Sequence, residues 1–506
     1  MSSMAVNKTA CVYLPPEIQL IILDALLQDG CSLASFATVS REWQAIIERH
    51  NFARIKLTPS RLADLNSTVR RNRHLVGYVW LCLELQEYDC TECATQNSEL
   101  WPVSDTDNIL ITTAIQRLFS TLSAWEPDGD LLLDISVHSP SDSEHWFKYL
   151  TFGPDLPPDE CARVGCVQQV MLAKLDDHRH GWLGGSQDVA PDRYAIYNVF
   201  EEVMGEGPFV DEEPEYQWWR QLPPIPAVTG VLLRQQNRRR WKPKSLAQMF
   251  ARLPRLQEIH YEPWREWLDS LQEWTDRSYQ SLFESLNASN RLLRLVLFEN
   301  FNEQYPDVCM GCGPVRIPTS AVSRTVANAS LLLEHLSASF MVDAGYFLDA
   351  CEPAWKWPNL TSLVLTSLLL TPDESPAEIG SMLQAAAAAA LKMPKLETME
   401  IWNGRQGLAA LFRYQSIGGG EPAVVTWRGT WELALQPPVM RAWEAVAAKH
   451  RGCGIAIVKE LLDVAVPIRS HGDAIHYLKL SRPVLRPVSL QQIRMEHNVR
   501  GGVLPV

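Results

Sequence analysis

The chain has 506 residues, 46% of them hydrophobic and 21% charged, a composition that excludes intrinsic disorder and suits about two to four domains or one long repeat body. A formal net charge of −13 excludes a protein that coats nucleic acid, whose electrostatic footprint is basic. Eleven scattered cysteines fit reduced thiols, the opening residues hold no apolar core of signal-peptide length, and the longest nearly apolar run, Leu360 to Leu370, is too short for a bilayer; a cytoplasmic and/or nuclear protein with no membrane partner is expected.

Residues 1–12 read as a flexible N-terminus. From Leu14-Pro15-Pro16-Glu17-Ile18 the chain turns into a helix, because proline is tolerated where an amide has no intrahelical acceptor and Glu17 suits the positive end of the helix dipole. Ile18, Ile21, Ile22, Ala25 and Leu26 then fall on one helical face. Gln28-Asp29-Gly30 ends that helix, and Ser32 is placed to cap a second one carrying Leu33, Phe36, Ala37 and Val39. Trp43, Ile46 and Ile47 begin a third. Three short helices cannot bury this many apolar groups alone, so another surface must cover them.

The pattern LPPEIxxxIL followed by SLxxFxxVSREWxxII resembles an F-box, the adaptor-binding module of SCF ubiquitin ligase receptors. The matching positions are Leu14, Pro15, Glu17, Ile18, Ile21, Ile22, Leu26, Leu33, Val39, Ser40, Trp43 and Ile47, within a module assigned to residues 13–57. Cys31-Ser32 departs from the acidic or small polar pair common before the second helix. The resemblance implies that Leu14 and Pro15 begin the adaptor contact and that Ile18, Ile22 and Val39 fill the shared core. It also implies a cullin reached through the adaptor, no catalysis by this chain, and an unknown protein substrate.

Residues 58–73 read as a linker helix with Arg70, Arg71 and Arg73 on a solvated face. Beyond it, apolar alternation of strand type recurs: Leu75/Tyr78/Trp80, Leu132/Ile135/Val137, Val167/Val170/Leu172, Val228/Val231/Leu233, Leu256/Ile259/Tyr261 and Leu292/Leu295/Leu297. It continues with Leu333/Leu336/Ala338, Leu360/Leu363/Leu365, Leu396/Met399/Ile401 and, weakly, Val424/Trp427. From Val228 the copies recur roughly every 30 to 40 residues, the scale of solenoid repeats. Helical stretches at Leu246–Leu253, Tyr279–Leu286, Ser320–Ala329 and Ile379–Met393 separate them, and Pro254, Pro358 and Pro394 each stand two residues before a strand-opening leucine. The expected fold class is therefore α+β and multidomain: a small all-α three-helix F-box module, then an irregular α/β leucine-rich-repeat-like solenoid over 74–465. A doubly wound α/β domain is the rival arrangement of the same elements. An acidic and aromatic insertion, containing Asp176 to Gly181, Trp218 and Trp219, is placed at about 176–226, and residues 466–506 read as a C-terminal tail.

No phosphate loop, GxSxG elbow, HExxH or GxGxxG occurs, and no cofactor or catalytic residue is assigned. His178 and His180 read as a surface pair. Cys90-Thr91-Glu92-Cys93 and Cys309-Met310-Gly311-Cys312 have metal-ligand spacing, but the repeat order sets the two pairs too far apart for one ion, so no metal is assigned. A metal or thiol protein built on those pairs remains the least favoured alternative, behind an F-box scaffold acting outside ubiquitination. Arg238-Arg239-Arg240 reads as a loop face, an import signal or an anion contact. Target binding is expected on the rim just past the strands, at Arg234, Tyr261, Trp264, Glu299, Asn300, Trp402 and Asn403, where aromatic and polar groups recur.

Overall fold

The structure, a computed structural model, describes residues 14–28, 33, 35–96, 103–126, 128–205, 207–287, 291–309, 311–416, 421–463 and 465–500. Residues 1–12, the helix stop at Asp29-Gly30 and the cap at Ser32 lie outside the described residues.

Strands β1 (Arg54–Leu57), β2 (Tyr78–Glu84) and β3 (Leu131–His138) precede a small hairpin of β4 (Trp182–Leu183) and β5 (Ser186–Gln187). Then follow β6 (Val228–Leu233), β7 (Glu258–Tyr261), β8 (Arg294–Phe298), β9 (His335–Asp343), β10 (Ser362–Thr366) and β11 (Thr398–Arg405). The series ends with β12 (Leu408–Gln415), β13 (Ala423–Gly429) and β14 (Ile455–Leu461). All but the hairpin form one 12-stranded sheet in the order β1-β2-β3-β6-β7-β8-β9-β10-β11-β12-β13-β14. Pairing is parallel except across β11–β12 and β12–β13. The protein is therefore α+β with a mostly parallel sheet. Strand order follows the chain without the reversal point that defines a doubly wound sheet.

The apolar alternation is what stacks this sheet. Val231 stands opposite Ile259, Ile259 opposite Leu295, Leu295 opposite Leu336, Leu336 opposite Leu363, and Leu363 opposite Met399. One strand face therefore carries an unbroken apolar row. The helices Asp105–Leu122, Pro243–Phe250, Asp269–Asn287, Ser320–Ala329, Pro376–Ala390 and Pro437–Arg451 bury their apolar faces with that row in a single core. The alanine run supplies Ala386, Ala387, Ala389 and Ala390 to it. Leu256, Leu360 and Leu396, the leucines two residues after a proline, are buried just ahead of their strands.

Four expectations change. Val167, Val170 and Leu172 lie in the helix Pro158–Leu172; Val167 and Val170, three residues apart, share its exposed face, and Leu172 is buried on the opposite side. The insertion is longer than 176–226, since the next sheet strand after β3 ends at His138 is β6 at Val228. The expected tail is ordered over 466–500: His471–Leu478 and Pro487–Arg500 are helices whose Ile475, Leu478 and Ile493 join a second core on the other sheet face. Gly404 of β11 allows this close approach, because a Cβ there would meet the Cβ of Ala474 at 2.5 Å. Lastly, the module and linker merge into the sheet. Residues 54–57 form its first strand, and Leu62, Leu65 and Val69 from the two short helices Pro59–Leu62 and Leu65–Val69 enter its main core.

Candidate functional site: the N-terminal module and the covered strand ends

The N-terminal module is a helix, Pro16–Gln28, a short 3-10 turn, Phe36–Thr38, and a helix, Arg41–Ala53; the second of the three expected helices is only that turn. The Pro15 carbonyl accepts from the Ile18 amide at 3.0 Å, and the Leu14 carbonyl accepts from the Gln19 side chain at 2.9 Å, which anchors the Leu-Pro entry to the helix. Ser40 caps the third segment by accepting from the Trp43 amide at 3.2 Å. Inside, Leu23, Leu33 and Ile47 are buried, with Leu26, Phe36, Trp43 and Ile46 packed against them. Trp43 thus holds the module together.

Outside, the first helix is apolar on more than one face. Ile18, Leu20, Ile21 (62% exposed) and Leu27 face solvent, and so does Val39 (68% exposed) beyond the 3-10 turn. Pro15 and Glu17 are exposed as well, while Leu14 and Ile22 are half-buried. A helix apolar around most of its circumference is normally enclosed. Here these side chains have no cover within the described residues.

The rim expectation is overturned by burial. Arg234, Tyr261, Trp264, Glu299, Asn300, Trp402 and Asn403 are each less than 5% exposed. The segments after β3 and β14 lie over the strand ends and saturate them. Arg234 pairs with Asp134 at 2.7 Å, and Arg238 pairs with Glu496 of the last helix at 2.8 Å while its guanidinium lies 4.1 Å from the Trp264 ring centre. Arg239 holds Asp142, and Arg240 holds Glu266. The arginine run is therefore neither a solvated loop nor an import signal in this fold. Asn300 donates to Gln235 at 3.0 Å and meets His471 of the covering helix at 2.8 Å; the Trp264 indole donates to the Gln235 carbonyl at 2.9 Å. Glu299 lies in a buried pair with Arg316, and Tyr261 donates to the Trp241 carbonyl at 3.4 Å. Trp402 packs edge-on to Phe340, and the Asn403 side chain accepts from the Gly404 amide at 2.9 Å. Burial pushes the carboxyl of Glu299 above its ordinary range, against the opposing charge of Arg316. In Glu496 burial pushes the same way, but Arg238, His497 and Arg500 together with the Tyr305 hydrogen bond outweigh it and hold the carboxyl at about 2.

Two further groupings bear on metal chemistry. The cysteines of the two CxxC pairs stay apart: Cys309 and Cys312 pack among aromatic rings such as Trp267 and Tyr305. Cys90 and Cys93 instead meet His145 and His180, with one ligand atom of each within 4.8 Å of every other. His180 is 3% exposed, so it is not part of a surface pair; His178 is exposed. Reading the cysteine pairs only against each other hid this grouping, and among twelve histidines nothing in the spacing singles out His145 and His180. Cys82, Glu84 and His138 also lie together, at the facing ends of β2 and β3. There Glu84 is exposed and paired with Lys56, and the His138 ring stacks on Phe152 at 3.8 Å.

A family model described as a family of unknown function, DUF6546, matches residues 287–486. This stretch is similar to that family from β8 through β14 and the covering helix His471–Leu478, and it ends before the last covering helix, Pro487–Arg500. No curated protein matches the chain. Among the described residues, no helix is long and apolar enough to cross a membrane.

Proposed function

We propose that the chain is a non-catalytic substrate receptor of an SCF-type ubiquitin ligase, working in the cytoplasm or nucleus. Its N-terminal module docks the adaptor and, through it, a cullin; the sheet body, a leucine-rich-repeat-like solenoid closed over its strand ends, holds a protein target. The observation that carries the reading is the outward set Ile18, Leu20, Ile21, Leu27 and Val39, on the helix and turn that carry the F-box-like sequence. Burying such groups is favourable by roughly 25 cal/mol per Å² of apolar surface, so a partner helix is the natural cover. For the solenoid, the support is the sequential parallel strand order with six helices, from Asp105–Leu122 to Pro437–Arg451, packed in one core with one sheet face. Target recognition falls to exposed surface, since the rim residues are enclosed.

The test is affinity purification of wild type and of a Leu14→Ala/Pro15→Ala double variant, with immunodetection of adaptor and cullin. Wild type retains both. The variant loses them, by about thirtyfold in affinity for a loss of 2 kcal/mol at an interface hot spot. Adaptor without cullin would shift the reading to a scaffold outside ubiquitination, and no adaptor on wild type would end it.

A further inference from the structure

The grouping of Cys90, Cys93, His145 and His180 stands apart from the adaptor module and is independent of the function proposed for it. Cys90 Sγ lies 3.2 Å and Cys93 Sγ 3.6 Å from His180 Nε2. Tetrahedral zinc with bonds near 2.3 Å to sulfur and 2.0 Å to nitrogen has ligand-to-ligand edges of about 3.3 to 3.8 Å. The two sulfur-to-His180 distances already match such edges, and the ligand atoms of all four side chains lie within 4.8 Å of one another. Neutral hydrogen-bonded thiols could also approach one histidine, but that would not explain four ligand-type groups converging from three separate stretches of chain.

Each stretch is shaped to present its ligand. After β2, the Asp89 side chain accepts from the Thr91 amide at 2.6 Å and its carbonyl from the Cys93 amide at 3.1 Å, a tight turn that brings both sulfurs to one side. His180 is held from behind: its Nδ1 meets Asp177 Oδ2 at 2.7 Å, and Lys148 holds the same carboxylate at 3.0 Å. That carboxylate fixes the tautomer with the proton on Nδ1 and leaves Nε2 as a lone-pair donor toward the sulfurs. His145 donates Nε2–H to the Tyr88 carbonyl at 3.3 Å, which leaves Nδ1 as its ligating atom. Gly181 lets the chain reverse immediately after His180, with φ +72° and no room for a Cβ, which would meet Val189 at 2.7 Å.

We infer that Cys90, Cys93, His145 and His180 form a structural Cys2His2 zinc site. The set has two soft thiolates and two imidazoles, and four protein ligands leave no open position for substrate, the mark of a structural site. Binding releases the two thiol protons to solvent. Mechanically, the ion ties the loop after β2 to two points of the long segment between β3 and β6, and so clamps that segment over the strand ends.

Metal analysis of the full-length protein, purified under reducing conditions and dialysed with zinc alone and then without it, tests the site. One zinc per chain is expected. Cys90→Ser/Cys93→Ser loses it, and Cys309→Ser/Cys312→Ser keeps it. Asp177→Asn, which touches no ligand directly other than His180, weakens zinc affinity by about 10- to 100-fold. Should the Cys90/Cys93 variant fail to fold, X-ray absorption on wild type decides: a first shell of two sulfurs and two nitrogens supports the site, and any other shell overturns it. Wild type that retains no zinc, or a Cys90/Cys93 variant that retains it, also overturns it.

Discussion

The N-terminal module and the layer over the strand ends invert each other. In the module, isoleucine, leucine and valine side chains face water around a core as small as Leu23, Leu33 and Ile47. Over the strand ends, four arginines from one turn of chain, Arg234 and Arg238 to Arg240, are buried and each faces its own carboxylate. Charged groups are almost never enclosed unless paired, and broad apolar faces are rarely left in water. The first surface has no cover among the described residues. The second was completed by the chain itself, with helices drawn from its far end. Exposure, not residue type, therefore separates the proposed interface from the interior here.

The comparison predicts its largest effect for removal of the cover. Deleting residues 466–506 takes away Glu496, His471 and Ile493, strips the partner from Arg238 and bares Phe298, Phe301 and Trp402. No soluble, monomeric protein is expected on size-exclusion chromatography. A compact, soluble 1–465 fragment would show that the sheet body does not need its cover.

Next comes a single break inside the layer. Glu496→Ala leaves Arg238 enclosed without a counter-charge and also removes the acceptor of the Tyr305 hydroxyl and the Asn302 amide. Removing one partner of a buried pair costs about 3–5 kcal/mol, measurable as a lower urea midpoint. A cost under 1 kcal/mol would mean that the layer opens to water.

The same carboxyl gives a pH signature. It is held at about 2, below an ordinary value of 4.5, because Arg238, His497, Arg500 and the Tyr305 hydrogen bond together outweigh the burial that would raise it. A depressed carboxyl contributes stability that is fully present above pH 4.5 and is lost as pH falls toward 2. The contribution is on the order of 3 kcal/mol, from the size of the shift. Stability of wild type should fall through that window more steeply than that of Glu496→Gln, as followed by urea unfolding at successive pH values. Parallel curves would remove the pair from the account.

How much of this was legible follows from the range of the forces. The apolar row from Val231 to Met399 could be read because alternation is local, and each strand repeats it within a few residues. The Leu-Pro entry is likewise local. The covered layer was not legible: Arg238 and Glu496 are 258 positions apart, and a polar residue just past a strand looks the same whether water or a distant helix satisfies it. The meeting of Cys90 with His180 has the same character, as does the reading of Val167 and Val170, whose spacing serves a helix face as well as a strand.

The smallest expected effect on stability tests the other half of the comparison. Ile21 and Val39 are more than half exposed and make no part of the small core formed by Leu23, Leu33 and Ile47. Substituting an exposed residue that carries no cap, buried partner or strained backbone usually changes stability by less than about 0.5 kcal/mol. Ile21→Ser and Val39→Ser should therefore keep the wild-type melting temperature. In an adaptor interface the same changes remove apolar area at the contact, so binding should weaken by about tenfold or more for each 1.4 kcal/mol lost. The Trp43→Ala variant reverses the order, since Trp43 packs on the module's own core: stability falls first, and binding falls only as a consequence. If Ile21→Ser lowers the melting temperature as far as Trp43→Ala does, the outward apolar set belongs to the fold, and the module has no free face to offer.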